Sequence, residues 1–326
     1  MVVGAAQPES TRGQSGYFGD LDGMRGILAL SVVLLHLGFN SFAERKLGWL
    51  GLHFDLAVDV FFLLSGFVLT MSARRETSLP RFAFRRFLRL APVFYVTTLI
   101  ALLASNQPWH PLELLLAMPL AGLAPANFPA WSICWELYLP ILAFAMGRTG
   151  LRVPDWLVLP LLAICLVVLG LLDVGVVKGQ DLGGLRAVFG LLGGHLIFRS
   201  GLTVRMRPEL PFAGILLVMA LASYWPGAAL ALPVCAALAI MAGLGGNSVF
   251  SSWPMKFLGD ISYTVYLVHV PLLLVFARFL GPEIDGNAVA KIMVLLCSIA
   301  GAWALTKGLE QPVTRWSKRF KDPRPA

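Results

Sequence analysis

Residues 21–38 read LDGMRGILALSVVLLHLG, an apolar run with an arginine near its start and a histidine eleven residues further on. Its composition suits a helix in a bilayer. Ionisable groups are costly in hydrocarbon unless they face a partner or a cavity. Eleven helical residues turn through about 1,100°, roughly 20° past three full rotations. Arg25 and His36 therefore share one face, about 16 Å apart along the axis, with Asp22, Ala29 and Val32 close to the same stripe.

The rest of the chain is written in the same style. Of its 326 residues 57% are hydrophobic and only 13% are charged, and the mean hydropathy is +0.76. A soluble domain is about a quarter charged, so this chain is expected to be solvated mostly by lipid. Apolar runs at 24–40, 54–73, 90–105, 131–147, 154–173, 183–199, 211–225, 228–245, 257–280 and 288–309 are the candidate spans. Several are short for a bilayer and imply tilt or local thinning. The first follows polar residues and lacks a small-x-small exit, so it is expected to be a retained span rather than a cleaved leader. An eleventh run, 111–126, carries Pro111, Glu113, Pro119 and Pro125.

Charge decides how that run is used. Ten spans with the N-terminus in the cytosol place 20 of the 26 basic residues on the cytosolic side and 6 on the other. Counting 111–126 as a span flips every later loop and leaves 12 against 14. The positive-inside rule selects the first arrangement, with both termini cytosolic and 111–126 re-entrant or interfacial. It also accounts for the net charge of +8 without nucleic acid. The expected fold is therefore all-α, a polytopic membrane protein of about ten transmembrane helices. It forms a single domain over 1–326, with a short cytosolic segment 1–20 and a basic tail 311–326. Cys134, Cys165, Cys235 and Cys297 each lie in an apolar run without metal-ligand spacing, and are expected to be packing thiols.

Counting inward from the span ends puts His36, Asp59, Glu136 and His269 in one layer of the outer half, converging on a polar cavity. The cluster RFAFRRFLR, 81–89, is either a positive-inside anchor or a phosphate clamp, because guanidinium forks match phosphate oxygens. Asp59 is alternatively the structural partner of an arginine, and His269 a histidine satisfied within its own helix bundle.

Four stretches together resemble the acyltransferase-3 family of integral-membrane acyltransferases. They are LDGMRG with Arg25-x10-His36, VDVFFLLSGFVL (58–69), FRRFLRLAPVFYV with Arg86-x-x-Arg89, and WSICWELYLP (131–140). The late GDISYTVYLVHVPLL and Glu310-Gln-Pro fit as well, so the resemblance runs from residue 20 to about 312. It implies transfer of an acyl group, commonly acetyl, from cytosolic acyl-CoA to a hydroxyl of an extracytoplasmic carbohydrate or glycolipid. Acyl-CoA would be a substrate rather than a bound cofactor, and no metal is implied. His36 is the expected catalytic group, with Asp59 and then Glu136 as candidates for orienting it. Arg25, Arg86 and Arg89 are expected to bind the donor. Ser65, Tyr263, His269 and Glu310 are further candidates for the cavity wall. Other expected partners are the bilayer, here a bacterial inner membrane, and, left open, a second copy of the chain as a homo-oligomer. The competing class is a carrier of a small anionic solute or lipid-linked sugar, which ten spans with polar residues at one depth would also suit.

Overall fold

The computed structural model describes residues 3–5, 18–39, 51–74, 76–105, 126–149, 154–171, 182–246, 248–281 and 287–319. Most of the 111–126 segment, on which the expected re-entrant element falls, lies outside the described residues. Each of the ten expected spans contains a helix. In chain order these are α1 (Gly19–His36), α2 (Ala57–Ala73), α3 (Leu79–Ala104), α4 (Trp131–Arg148) and α5 (Asp155–Leu171), then α6 (Gly183–Ser200), α7 (Glu209–Leu221), α8 (Leu232–Gly243), α9 (Trp253–Leu280) and α10 (Ala288–Leu305). A π-helical turn, Thr306–Glu310, leads from α10 into a short α11 (Gln311–Ser317). Six helical stretches among the described residues are long and apolar enough to cross a bilayer. They are Phe54–Ala73, Leu79–Ala104, Phe128–Arg148, Pro226–Gly243, Trp253–Leu280 and Ala288–Ser317. Leu103, Trp156, Phe279 and Val289 are all more than two-thirds exposed. Such surfaces are rare in water and suit a lipid solvent.

The all-α expectation holds, with one short two-stranded ladder beside the helices. Val3–Ala5 (β1) pairs antiparallel with Leu202–Val204 (β2), in the loop after α6. Both segments are short and extended, and hydropathy carries no signal for a two-stranded ladder of this size. The chain packs as two compact units. One comprises Met1–Arg75 with Gly150–Ser262, the other Glu76–Thr149 with Tyr263–Ala326.

In the first unit, α1 begins five residues before the expected span. Asp20 and Asp22 sit in its first turn, where the helix dipole favours negative charge. It ends at His36, and Gly38 follows at φ 75°, a left-handed conformation that glycine adopts without steric cost. The face of α1 opposite Arg25 and His36 presents half-exposed Ile27, Leu30 and Leu34. The stripe between Arg25 and His36 is packed, since Ala29 and Val32 are buried. His36 thus faces protein rather than hydrocarbon.

The closest helix pair of this unit is α2 with α6, which run parallel. Gly190 and Gly194 of α6, spaced as small-x-x-x-small, let the backbones approach closely. A Cβ at Gly194 would stand 2.1 Å from the Leu63 carbonyl oxygen, and one at Gly66 would stand 2.3 Å from that of Leu191. This explains Gly66 of the SGF element as a packing residue. Gly194→Leu is expected to lower stability by about 2 kcal/mol or more. Gly147→Leu, whose Cβ would meet nothing within 4 Å, should change it little. Thermal midpoints of the detergent-solubilised variants check both.

In the second unit, α3 and α4 lie antiparallel, joined at one level by Asn127. Its amide donates to Thr97 Oγ1 at 3.2 Å and to the Leu267 carbonyl at 3.1 Å. Ser132 and Tyr266 meet at 3.0 Å on the same side. The Tyr263 hydroxyl donates to the Leu90 carbonyl at 2.5 Å, so this part of α9 runs parallel to α3. These buried polar bonds fix the register of three apolar helices that dispersion alone would leave free to slide.

Candidate functional site

The first unit gathers one group of titratable side chains where α1, α2 and α6 meet. His36 is the last residue of α1, and its Nδ1 donates to the Val32 carbonyl at 3.1 Å. A carbonyl only accepts, so the ring proton sits on Nδ1 and the neutral imidazole carries its lone pair on Nε2. The main-chain bond to Val32 is thus one contact that fixes the tautomer. Asp59, near the start of α2, is held by Arg186 of α6. Arg186 Nε donates to Oδ1 at 2.9 Å and Nη2 donates to Oδ2 at 2.7 Å. Both partners are buried, which makes this a two-pronged interior ion pair. Arg186 Nη2 also lies 3.4 Å from the Asp55 carbonyl. Asp55, in the helical turn Phe54–Leu56 against which α1 packs, accepts from His53 Nδ1 at 3.3 Å through Oδ1. Its charge acts on both His36 and Asp59.

At the other end of α1, Arg25 Nη1 donates to Asp22 at 3.4 Å, and both side chains are about a quarter exposed. Asp20 accepts from the Ser251 hydroxyl. Gly26 brings α1 against the backbone of Leu258, and Gly259 brings α9 against that of Asp22. Gly26 of LDGMRG thus presses the start of α1 onto the start of α9, and Gly23 presses it onto Phe250 in the turn before that helix. Ser65 is half-buried on α2, beside Gly66. On α6 and α2, Thr70 and His195 Nδ1 meet at 3.2 Å.

The second unit holds the other group. Arg86 Nε donates to the Glu136 carbonyl at 2.6 Å, and its Nη2 lies 3.7 Å from Glu136 Oε2. Tyr263 lies among the charges of Glu310, Glu136, Arg89 and Arg86. Glu310, on the π turn, accepts from Thr264 at 2.8 Å, and Thr306 donates to Thr264 at 2.8 Å. Arg89 is exposed. Five candidate residues, Arg86, Arg89, Glu136, Tyr263 and Glu310, are therefore drawn together here.

His269 is not among them. It is 1% exposed, and its Nδ1 donates to the Val265 carbonyl of its own helix at 3.1 Å. The level marked by Asn127 separates it from Glu136, about 15 Å away along the helix axes at 1.5 Å per residue. The single layer expected for His36, Asp59, Glu136 and His269 is corrected accordingly. Counting from span ends presumes upright spans of equal length, whereas α3 has 26 residues and α9 has 28. His36 and Asp59 are linked only by Asp55, whose charge acts on each. Sequence reasoning missed Asp55, Arg186, His53 and Asn127. The one local signal was the placement of Asp55 four residues before Asp59, on the same helical face. Cys134 and Cys165 are buried, and Cys235 and Cys297 half-buried.

Comparisons with known proteins identify the family of the chain. A family model described as an acyltransferase domain, Acyl_transf_3, matches residues 18–307. Acyltransferase MdmB of Streptomyces mycarofaciens is 36% identical over 137 residues, covering 36% of this chain and 35% of its own. The peptidoglycan O-acetyltransferase OatA of Listeria monocytogenes is 32% identical over 135 residues, covering 40% of this chain and 20% of its own. BcsY of Komagataeibacter xylinus, described provisionally as a membrane-bound transacylase, is 26% identical over 329 residues, covering 86% of this chain and 79% of its own. The first two matches thus span about a third and a fifth of those relatives' lengths. No solved structure matches the chain. With most of the chain matched, from the helix that carries Arg25 and His36 to the π turn beside Glu310, this is an integral-membrane protein of the acyltransferase-3 family.

Proposed function

We propose that the protein moves an acyl group, in the simplest case acetyl, from cytosolic acyl-CoA to a hydroxyl of an extracytoplasmic carbohydrate or glycolipid. The observation that carries this is α1 itself. One unbroken helix puts a cation at one end and a histidine of defined tautomer at the other, on the face turned away from the exposed apolar stripe. Arg25 would meet donor phosphates, while His36 Nε2 would either deprotonate the acceptor hydroxyl or take the acyl group before passing it on. The helix rise between them matches the reach of a pantetheine arm. Ala29 and Val32 are buried, so donor binding must part the packing along this stripe. OatA, by its name an O-acetyltransferase of peptidoglycan, supports a polysaccharide-like acceptor.

The same reading keeps ten spans with both termini cytosolic, in a bacterial inner membrane. Two local pairings support that topology. The β1–β2 ladder joins the N-terminal segment to the loop after α6, both expected in the cytosol. Ser223 donates to the Gly51 carbonyl at 2.8 Å and the His53 amide to the Met219 carbonyl at 3.0 Å, joining two loops expected outside.

Donor recognition at the second cluster falls chiefly to Arg89, because Arg86 is engaged with Glu136. Arg89→Ala is expected to raise the apparent KM for acetyl-CoA about tenfold, the equivalent of one charged hydrogen bond. Steady-state kinetics at varied donor concentration check this, and an unchanged KM returns the 81–89 cluster to membrane anchoring. The function itself is tested with purified protein in lipid nanodiscs given radiolabelled acetyl-CoA and a soluble oligosaccharide. Release of CoA with label on the sugar supports acyl transfer. Solute uptake by proteoliposomes without CoA release would mark a carrier instead.

A further inference from the structure

Among the described residues, Asp55 and Asp59 lie at the buried guanidinium of Arg186, and the other titratable groups placed here are His36 on α1 and His53 beside Asp55. Arg186 takes both oxygens of Asp59. A carboxylate held in that fork is neutralised by it and has little left to offer a third group. Asp55 differs. His53 occupies Oδ1, whereas Oδ2 is buried and, among the described residues, has no hydrogen-bond donor. Leaving such an oxygen unsatisfied carries a desolvation cost, and native proteins seldom keep one without a use. The Asp55 main chain is tied to the Arg186–Asp59 pair, and its turn packs against the helix that ends at His36. The Asp55 carboxylate is therefore fixed in the turn against which α1 packs, near enough for its charge to act at His36.

We propose that Asp55, rather than Asp59, is the positioning carboxylate that stabilises the cation formed at His36 during acyl transfer, with Asp59 serving to hold Arg186. This rests on the acyl-transfer reading above. The need for an anion is the same on both routes. If His36 acts as base, the acceptor O–H bond breaks and its proton goes to Nε2, making an imidazolium. The alkoxide oxygen bonds to the thioester carbon, the C–S bond breaks, and the CoA thiolate takes the proton back. If His36 acts as nucleophile, Nε2 bonds to the thioester carbon and the C–S bond breaks. That leaves a cationic acyl-imidazole and a thiolate that is protonated from water. The acceptor oxygen then takes the acyl group, the N–C bond breaks, and the hydroxyl proton departs to solvent. In each case a positive charge appears on a ring that was neutral. A preplaced carboxylate lowers the barrier because it needs no reorganisation when the charge forms. Asp55 also explains why a neutral Nδ1–Val32 bond suffices to set the tautomer, since orientation and charge stabilisation are divided between two groups.

The full-length protein in nanodiscs, with acetyl-CoA as donor and thiol release as readout, tests this. Wild-type turnover establishes the acyl-transfer reading, and its absence would sink that reading rather than this one. Asp55→Asn keeps the size and removes the charge. It is expected to lower kcat about 100-fold, with the KM for acetyl-CoA unchanged and the thermal midpoint not lowered, because the amide adds a donor where none stood. Asp55→Glu should recover at least a tenth of wild-type kcat. Where Asp55→Asn does not accumulate, Asp55→Ser carries the same expectation for kcat and KM. Wild-type kcat in the Asn or Ser variant overturns the proposal. So does a loss of kcat that follows the thermal midpoint, or a Glu variant as slow as the Asn one.

Discussion

His36→Ala is expected to abolish CoA release and acyl transfer while the protein remains folded in the membrane. The expected loss is at least about a thousandfold, the upper part of the range for general base catalysis and the whole rate if the ring is acylated. The structural consequence should be small. The side chain is half-buried at the C-terminal end of α1, and its Nδ1 bond is to the preceding turn of its own helix. Losing that bond costs about 1 kcal/mol, a midpoint shift of a few degrees at most. Donor binding is a second, independent readout. Arg25 and Arg89 are untouched, so acetyl-CoA should bind the variant with close to wild-type affinity by equilibrium dialysis. A variant that binds donor and stays folded but does not turn over places His36 at the chemical step. Retained turnover would remove it from that step altogether.

The layout of α1 was legible in the sequence because it is a local property. An eleven-residue spacing, an apolar stripe on the far side and a glycine shortly after the histidine all lie within one helix. The membrane character was legible for the same reason. Partners distant in sequence were not. Arg186 sits near the start of a span and was counted with the charges of an outer loop. Its partner Asp59 lies 127 residues away, and no periodicity within either helix marks the pair. The sequence admits Asp59 as the structural partner of an arginine but does not say which arginine. Glu136 and Arg86, 50 residues apart, were assigned to opposite halves of the bilayer. Counting residues from apolar boundaries cannot register how far one long helix slides past another. That offset is set by bonds such as Asn127 to Leu267, across 140 residues. His269 shows the converse. It is buried and bonded to the Val265 carbonyl of its own helix, away from the level of Glu136 at which span-end counting put it.

Breaking the Asp59–Arg186 pair is expected to give the largest stability effects in the molecule, and unequal ones. Removing one partner of a buried ion pair costs about 3–5 kcal/mol, chiefly because the other charge is left without compensation. After Asp59→Ala, the stranded Arg186 still has a carboxylate within reach. Its guanidinium already lies 3.4 Å from the Asp55 carbonyl, and a rotamer change brings Asp55 Oδ2 into its fork. After Arg186→Ala, the buried Asp59 loses both of its guanidinium bonds and lies near a second carboxylate, Asp55. Arg186→Ala should therefore be the more damaging change, with less protein recovered from membranes and the lower thermal midpoint. The double variant Asp59→Leu with Arg186→Met replaces the pair with apolar groups of similar reach. It should recover most of the lost stability, since well-packed apolar residues often match a buried pair. Activity then separates the two roles open to Asp59. If it only holds Arg186, the double variant keeps kcat within about tenfold of wild type, and Asp59→Ala loses activity because Asp55 is diverted to the guanidinium. If Asp59 itself assists His36, the double variant is as stable as wild type and inactive. Midpoints and kcat values for the three variants decide between these outcomes.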